Sequence, residues 1–529
     1  MSDQDPVEND SSDNKSTSSD GNLTGDDAIR GILKGAGVIY TGLFLNMAIA
    51  FVAQRFAAVH LSVGGFGSLL SGTALLDIGA VVAGLGLASG LTRYLPRVDE
   101  KQKRPIVKYT FIFVLPFSIV ISVPTVLFAD SIATVLFDDA DLTVSLRIFA
   151  ATIPFAAALN LAIGGIRGQM ISRYQVYIKD ILHPSIRFGL IMLAVVVGAG
   201  QAGFAAGYAI PYIVGAFIAV ALLWRVLPSG TGVGAESNIF SEVVQYSLPF
   251  TVTGLASFIY RSIDIFLILY LLGSRAVGMY GVAYAFAQLI GMFSTAFNYL
   301  STPVSSQLEN DDRVYEAVGV QETVARWIII ATIAALVPIS LFASEFLQLI
   351  YRPAYGEAGV VLIILAIGFA IKNVLQTHGP ILEALGKSKL SALNTSLAAT
   401  VNVIVNIALI PRYGIEGAAL ATTLSFVVLG ILPTMEVQYF TGTTSISRRI
   451  ITPIIVAVPL TAVAVPTFQM VPQTLLWIVA VSAVFALSYI IIIIVTLGFT
   501  QEDVMVIRSV EDKYDIPLGP LDIVLRRFS

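Results

Sequence analysis

Charged side chains stand inside several long apolar stretches of this sequence, where a charge is costly and therefore usually functional. Three are bases, Arg187, Arg261 and Lys372, and two are acids, Asp77 and Asp264. Grouped bases in a hydrated cleft can bind an anion, because guanidinium and ammonium groups offset its desolvation. We therefore expect the three bases to bind an anionic group, and the two acids to pair with bases or to bind a coupling cation.

Each base also has a purely structural interpretation, which the sequence leaves open. Arg187 has Asp180 within reach as a packing partner. Arg261 and Asp264 are three residues apart and so share a helix face, where they can neutralise each other. Lys372 lies in the inner half of its stretch and can extend its ammonium group to the membrane surface.

Two further charges have two interpretations each. Asp77, in the middle of its stretch, is expected either to pair with a base across the cleft or to titrate. Arg93 stands at the cytoplasmic end of the same stretch. It is expected either to anchor the helix at the membrane surface or to contact a substrate that arrives from the cytoplasm.

The stretches that carry these residues are transmembrane helices by length and composition. About 20 mostly apolar residues span a hydrocarbon core of about 30 Å, and fourteen such stretches lie between Leu33 and Leu497. Hydrophobic residues make up 56% and charged residues 12% of the 529 residues, against about 25% charged in soluble proteins. The predicted spans are 33–57, 67–91, 107–128, 142–166, 177–198, 203–224, 246–272, 278–300, 327–349, 358–379, 390–410, 415–438, 451–470 and 475–497.

The composition excludes several classes of site. The sequence has no cysteine, so a disulfide, a thiolate metal site and a cysteine nucleophile are excluded. Its three histidines, His60, His183 and His378, are too scattered for a metal site. We expect no cofactor, no metal and no nucleic-acid partner, and we do not expect an enzyme.

The distribution of Lys and Arg predicts the orientation of the helices. A cytoplasmic N-terminus leaves four basic residues in the outer loops: Arg55, Arg275, Arg352 and Arg412. The predicted cytoplasmic loops carry Arg93, Arg97, Lys101, Lys103, Arg104, Lys108, Arg167, Arg173, Lys179, Arg225, Arg313, Arg326, Lys387, Lys389, Arg448 and Arg449. We predict a multi-pass plasma-membrane protein with both termini in the cytoplasm.

Weak self-similarity between the first and second halves of the sequence indicates an internal duplication. Thr41-Gly42-Leu43 recurs as Thr253-Gly254-Leu255, and Gly65-Phe66-Gly67 recurs as Gly278-Met279-Tyr280-Gly281. Six spans separate the copies, so both halves have the same orientation and form parallel repeats.

The predicted fold is an all-α integral membrane protein with about 14 transmembrane helices. Two parallel-repeat six-helix lobes enclose a central cleft, and two C-terminal helices lie outside the duplication. The predicted segments are a disordered acidic cytoplasmic tail (1–30), an N-terminal lobe (31–240), a C-terminal lobe (241–445), spans 13 and 14 (446–498) and a cytoplasmic C-terminal tail (499–529).

The most specific pattern reads NTSLAATVNVIVNIALIPRYGIEGAALATTLS and runs from Asn394 to Ser425. Pro411 is expected to end one helix, and Gly414 is expected to make the turn to the next. The pattern resembles the C-terminal-lobe signature of the polysaccharide-transporter flippases. These proteins belong to the multidrug/oligosaccharidyl-lipid/polysaccharide (MOP) exporter superfamily.

The resemblance implies a flippase that moves a polyprenyl-(pyro)phosphate-linked oligosaccharide from the cytoplasmic to the outer leaflet by alternating access. Such a substrate serves surface polysaccharide assembly or protein glycosylation. Arg187, Arg261 and Lys372 are then expected to bind its head group between the lobes. Membrane lipid is the other expected partner, and the sequence leaves open whether a coupling cation also binds. A monomer with an internal cleft is sufficient for this function.

Two alternatives remain at the level of the sequence. A cation-coupled multidrug antiporter of the same superfamily would have twelve spans, acidic cleft residues and few buried bases. A membrane polysaccharide polymerase or glycosyltransferase would carry a large outer loop with catalytic groups. The fourteen spans, three buried bases and short outer loops favour the flippase.

Overall fold

The computed structural model describes residues 46–171, 173–228, 237–310, 314–375, 382, 387–442, 448–469 and 472–498. These residues form helices joined by short turns, and no strand occurs among them. The all-α prediction is therefore confirmed. The predicted tails 1–30 and 499–529 lie outside the described residues.

Seven helices come from the first half of the chain. They are α1 (46–60), α2 (Val63–Gly84), α3 (Leu87–Tyr94), α4 (Glu100–Leu127), α5 (Leu142–Gly168), α6 (Arg173–Val197) and α7 (Gly200–Val226). Helix α5 is central, because it packs along α2, α4 and α7. Helix α6 includes a π-helical segment, Val176–Leu182.

Eight helices come from the second half. They are α8 (Ser237–Leu272), α9 (Ser274–Asn310), α10 (Val314–Leu341), α11 (Ala343–Ile350), α12 (Gly359–Leu375), α13 (Ser388–Thr441), α14 (Arg448–Gln469) and α15 (Leu475–Leu497). A 3-10 turn, Pro353–Ala358, joins α11 to α12. Helix α13 packs along α8 and α12, whereas α14 and α15 pack on α10.

Two predicted spans are corrected by the structure. The span 327–349 is broken, because α10 ends at Leu341 and α11 turns away by 80°. Pro338, which lacks a backbone N–H, weakens the last turn before this break. In α13 the helix continues through Pro411, so the prediction that Pro411 ends it is wrong. The break falls at Gly414, whose φ of 58° is a conformation that favours glycine.

The described helices confirm a multi-pass protein. Ten of them are long and apolar enough to cross a membrane, or eleven if α10 and α11 form one bent span. Lys389–Phe440 counts once in that number, although Gly414 divides it. The number of fourteen spans stays a prediction.

The two halves contact each other at both ends of the bundle. We call the end that carries Arg93, Arg97 and Arg167 the basic end, and the other the opposite end. At the basic end α3 lies against α8 without room for side chains. A Cβ on Gly86 would come 2.2 Å from the Ser247 carbonyl oxygen.

At the opposite end the first turns of α2 and α9 cross. A Cβ on Gly67 would come 1.8 Å from the carbonyl oxygen of Ser274, and one on Gly278 would come 2.1 Å from that of Val63. Gly67 and Gly278 belong to the two motifs that the predicted repeat pairs. The equivalent helix starts of the two halves therefore touch each other.

Hydrogen bonds reinforce this opposite end. The Arg352 Nη1 donates to the carbonyl oxygen of Leu61 (2.6 Å), and the Tyr355 hydroxyl donates to that of Ala58 (3.2 Å). In the other direction, Arg55 Nε donates to the carbonyl oxygen of Ile350 (2.7 Å). The segment between α10 and α12 thus holds the end of α1.

Candidate functional site

Four of the predicted site residues lie at similar depth in the bundle. Asp77 and Lys372 each lie roughly four helical turns after the starts of α2 and α12. Arg187 and Arg261 each lie roughly three turns before the ends of α6 and α8. All four helix ends belong to the opposite end. At about 5.4 Å per turn, the four side chains start about 15–21 Å from it.

Asp77 lies at the centre of these charges. Its carboxylate is within electrostatic range of Arg261, Arg187 and Lys179. Although it stands mid-helix at membrane depth, its side chain is exposed, as is that of Arg261. Helix α2 of the first half and α8 of the second therefore face a shared, accessible cleft. We call Asp77, Lys179, Arg187, Arg261 and Lys372 the cleft cluster.

Arg187 is held by aromatic neighbours of its own half. Its Nη2 lies 3.2 Å from the Nδ1 of His183, one helical turn earlier. Its guanidinium carbon lies 4.9 Å from the centre of the Tyr208 ring. The His183 ring meets the ring of Tyr212 edge-on at 4.6 Å. The Arg187 Nε is buried and has no hydrogen-bond partner among the described residues, so the group retains a free donor.

Lys372 lies inside the bundle. Its ammonium nitrogen is 4.8 Å from the ring centre of Phe426, 5.6 Å from that of Phe369 and 6.0 Å from that of Tyr260. Three aromatic faces stabilise a cation by their quadrupoles. Arg261 is within electrostatic range. In the structure, Lys372 therefore does not extend its ammonium group to the membrane surface.

Arg261 and Asp264 do not pair with each other. The Arg261 Nε donates to the carbonyl oxygen of Ser257 (3.2 Å), and the rest of its guanidinium is exposed. The buried Asp264 carboxylate accepts from the Tyr280 hydroxyl (2.5 Å) and the Ile265 backbone N–H (2.9 Å). Asp264 thus joins α8 to α9 and leaves Arg261 free for the cleft.

The sequence analysis missed one base of the cluster. The charge pattern predicts Lys179 as a cytoplasmic-loop residue, but in the structure it lies within electrostatic range of Arg167, Asp180 and Asp77. Its ammonium donates to Asn160 Oδ1 at 2.8 Å, and it lies in the π-helical segment of α6. The spacing of four residues from Lys179 to His183 and again from His183 to Arg187 was the signal that consecutive members of this series are neighbours on the helix surface.

A cavity of about 280 Å³ adjoins the cluster on the basic-end side. Its lining includes Lys179, Asn160 and Arg167 together with backbone of α2, α3 and α8. Lys179 therefore belongs both to the cavity and to the charges around Asp77. An anion in this cavity would meet Arg167 and Lys179 before it meets Arg187 and Arg261.

Arg93 stands apart from the cleft cluster. It is exposed at the basic end, and its guanidinium carbon lies 4.2 Å from the ring centre of Tyr246 on α8. A side-chain hydrogen bond with Tyr246 raises the pKa of Arg93, which keeps the group charged. Arg93 thus links the two halves at the basic end.

A family model described as polysaccharide biosynthesis protein matches residues 60–359, which is more than half of the chain. The chain belongs to this family. The match begins at the end of α1 and runs to the start of α12, so it includes four of the five cleft-cluster residues. The predicted membership of a polysaccharide family is thereby confirmed.

Individual relatives resemble only part of the chain. A probable low-salt glycan biosynthesis flippase, Agl15 of Haloferax volcanii, is 29% identical over 191 residues. This alignment covers 36% of the present chain and 40% of that relative, less than half of each.

Solved structures agree in fold across most of the chain. The lipid II flippase MurJ in an inward closed conformation covers 87% of this chain and 99% of its own, with a TM-score of 0.71 and 13% identity. An inward-facing multidrug resistance MATE family transporter of the MOP superfamily matches 75% of this chain over 96% of its own length, with a TM-score of 0.60 and 16% identity. Family and fold agree with the prediction of a transporter rather than an enzyme.

Proposed function

We propose that this protein is a flippase for a lipid-linked oligosaccharide whose carrier is a polyprenyl phosphate or pyrophosphate. The observation that carries the proposal is the excess of positive charge in the cleft. Lys179, Arg187 and Arg261 are within electrostatic range of the Asp77 carboxylate, and Lys372 is within electrostatic range of Arg261. Asp180 interacts first with Lys179 and then with Arg167, so five bases, Arg167 included, stand against the two carboxylates of Asp77 and Asp180.

An unbalanced group of cations at membrane depth calls for an anionic ligand. Uncompensated charge is expensive there, and a phosphate or pyrophosphate would supply the missing negative charge. Arginine and lysine donors on both sides of the cleft would make charge-assisted hydrogen bonds with its oxygens. The cationic substrates of a multidrug antiporter would instead be repelled, so this observation disfavours the antiporter.

Asp77 is proposed to act as the internal counter-ion of the cleft before substrate enters. Its carboxylate interacts with Arg261 on the second half and with Arg187 and Lys179 on the first. A head group that enters would take over these bases, and Asp77 would be left to bind a proton or a cation. Asp264 is the less suitable coupling group, because a cation there would have to displace the hydrogen bond from Tyr280.

Alternating access would expose this cleft to each membrane face in turn. The halves touch at the basic end through α3 and α8, and at the opposite end through α2 and α9. Separation of one contact while the other holds would open the cleft to one side. The polyprenyl tail would remain in the bilayer. We place the protein in the plasma membrane as a monomer, with both termini cytoplasmic and the two halves acting as the lobes.

The test is the fate of lipid-linked saccharides in cells that lack the chain. Mass spectrometry identifies species that accumulate, and an impermeant reagent reports which leaflet holds them. We expect one glycolipid to accumulate in the inner leaflet and the wild-type chain to restore its export. Arg187→Gln and Arg261→Gln should each fail to restore it. Arg104→Gln is the matched control, because Arg104 contacts Trp224 outside the cleft.

Two results would contradict the proposal. One is an unchanged glycolipid pool together with altered resistance to cationic drugs, which would favour the antiporter. The other is full restoration of export by a triple variant of Arg187, Arg261 and Lys372, which would remove the head-group role of the cleft.

A further inference from the structure

We propose that a second pocket, between α1 and α9, binds the neutral saccharide part of the substrate. We call it the amide pocket and define it by Asn46, Gln54 and Gln288. The proposal rests on the proposed function and assigns a separate site to the uncharged end of the same head group.

The pocket lies at the seam between the two halves. Helix α1 contributes Asn46, Phe51 and Gln54 to it, and α9 contributes Gln288 and Met292. Its volume is about 150 Å³. A water needs only about 10–15 Å³ by this measure, so the space can admit a sugar ring.

The amide side chains have donors and acceptors to spare. Among the described residues, Asn46, Gln54 and Gln288 make no side-chain hydrogen bond with the protein. An amide carries two donors and an oxygen acceptor. Gln288 is exposed and Asn46 and Gln54 are half-buried, so all three amides are accessible to a ligand that enters the pocket. Three amides around one small cavity therefore point to a polar ligand that gives and accepts hydrogen bonds at once.

The chemistry of the lining selects hydroxyl groups over phosphate. None of the described residues that line the amide pocket is acidic or basic. Sugar hydroxyls both donate and accept, as amides do, whereas a phosphate would lack a counter-charge there. Phe51 adds an apolar ring of the kind on which the C–H face of a sugar can lie.

The depth of the pocket fits a head group that spans both sites. Asn46 lies roughly four helical turns before the end of α1, and Gln288 lies roughly four turns after the start of α9. At about 5.4 Å per turn, each is about 21 Å from the opposite end. Asp77 is at the same depth. The charged and the neutral part of one head group can thus bind in the same layer of the bundle.

The test compares a glycolipid with its sugar-free carrier. The probes are the lipid-linked saccharides extracted from cells lacking the chain, and a polyprenyl pyrophosphate of matched length without sugar. Full-length protein in detergent is offered both together, and mass spectrometry quantifies what it retains. Two variants change the pocket: Gln288→Met removes one of its amides, and Ala50→Leu fills its space while keeping all three amides. The control is Gln245→Met, which removes an exposed amide on α8 outside the pocket.

We expect the wild-type protein to prefer the glycolipid, and Gln288→Met to reduce this preference about fivefold, the effect of one lost hydrogen bond. Ala50→Leu should reduce it as well, with retention of the sugar-free lipid unchanged in both. Gln245→Met should behave as wild type, and Arg261→Gln should weaken both lipids.

Three results would overturn the inference alone, and a fourth would overturn it together with the proposed function. A wild-type protein that retains both lipids equally would show that the sugar is not recognised. Unchanged preference in both Gln288→Met and Ala50→Leu would remove the pocket from recognition. Equal loss of both lipids in both variants would give the pocket a purely structural role. A wild-type protein that retains neither lipid would overturn the proposed function, and this inference with it.

Discussion

Replacement of Gly67 by alanine should separate the two halves at the opposite end. The new Cβ would lie 1.8 Å from the Ser274 carbonyl oxygen and 2.8 Å from the Gly278 nitrogen. Carbon and carbonyl oxygen normally come no closer than about 3.3 Å, so the backbones must move apart by about 1.5 Å. A change of side-chain rotamer cannot relieve the contact, because both obstacles are backbone atoms.

The expected energy follows from this clash. Overpacking of a tight contact typically costs about 1–3 kcal/mol. If the contact forms in one state of the transporter and not in another, Gly67→Ala shifts their ratio by about 5- to 150-fold. Gly189→Ala on α6 is the matched control, because a Cβ there meets no atom within 4 Å.

Disulfide cross-linking can measure the shift directly, since the sequence contains no cysteine of its own. A Cβ on Gly64 would lie 3.3 Å from Ser274 Oγ, so Gly64→Cys with Ser274→Cys should cross-link readily. Gly67→Ala should slow this reaction at least about fivefold, and Gly189→Ala should leave it unchanged. An equal rate in all three backgrounds, with unchanged thermal stability, would refute the close contact.

Three further changes test other contacts. Tyr280→Phe removes the hydroxyl that donates a hydrogen bond to the buried Asp264 carboxylate, and should lower the free energy of unfolding by about 1–3 kcal/mol. Tyr284→Phe should lower it by less. Equal melting temperatures of the two variants would contradict this expectation. Lys372→Met keeps the length of the side chain and removes its charge, so glycolipid retention should fall at least about tenfold; unchanged retention would exclude Lys372 from the site. Arg352→Gln loses the hydrogen bond to the end of α1 and should weaken the opposite-end contact by about 1 kcal/mol. The same cysteine pair should then cross-link more slowly. A faster reaction would argue against a role of Arg352 in holding the two halves together.

The sequence predicted the fold well because its strongest signals are local. Apolar length alone indicates a membrane helix, and a repeat offset indicates two halves. The break at Gly414 was also predictable, since its backbone conformation favours glycine. The 80° turn after Leu341 was not, because Ser344 and Glu345 interrupt the apolar run only briefly before Phe346 and Leu347 continue it.

The candidate site was predictable in its members and less so in their contacts. Charge at membrane depth identified Arg187 and Lys372 without any structure. The partners of Lys372 could not be read from the chain, because its aromatic neighbours Tyr260 and Phe426 are distant from it in sequence. Lys179 was missed since it stands near a predicted span end, where a base ordinarily serves orientation.

The π-helical segment of α6 sets the angle between Lys179 and Arg187. A π turn holds about one residue more than an α turn, and such turns often occur at functional sites. Loss of Tyr177 would restore an α-helix while all eight steps from Lys179 to Arg187 remain, and because a π turn holds about one residue more than an α turn, Lys179 would rotate by roughly 90° relative to Arg187. Both bases would remain, yet one of them would leave the cleft. Charge selectivity in such a transporter can therefore change through a single-codon deletion, with every charged residue retained.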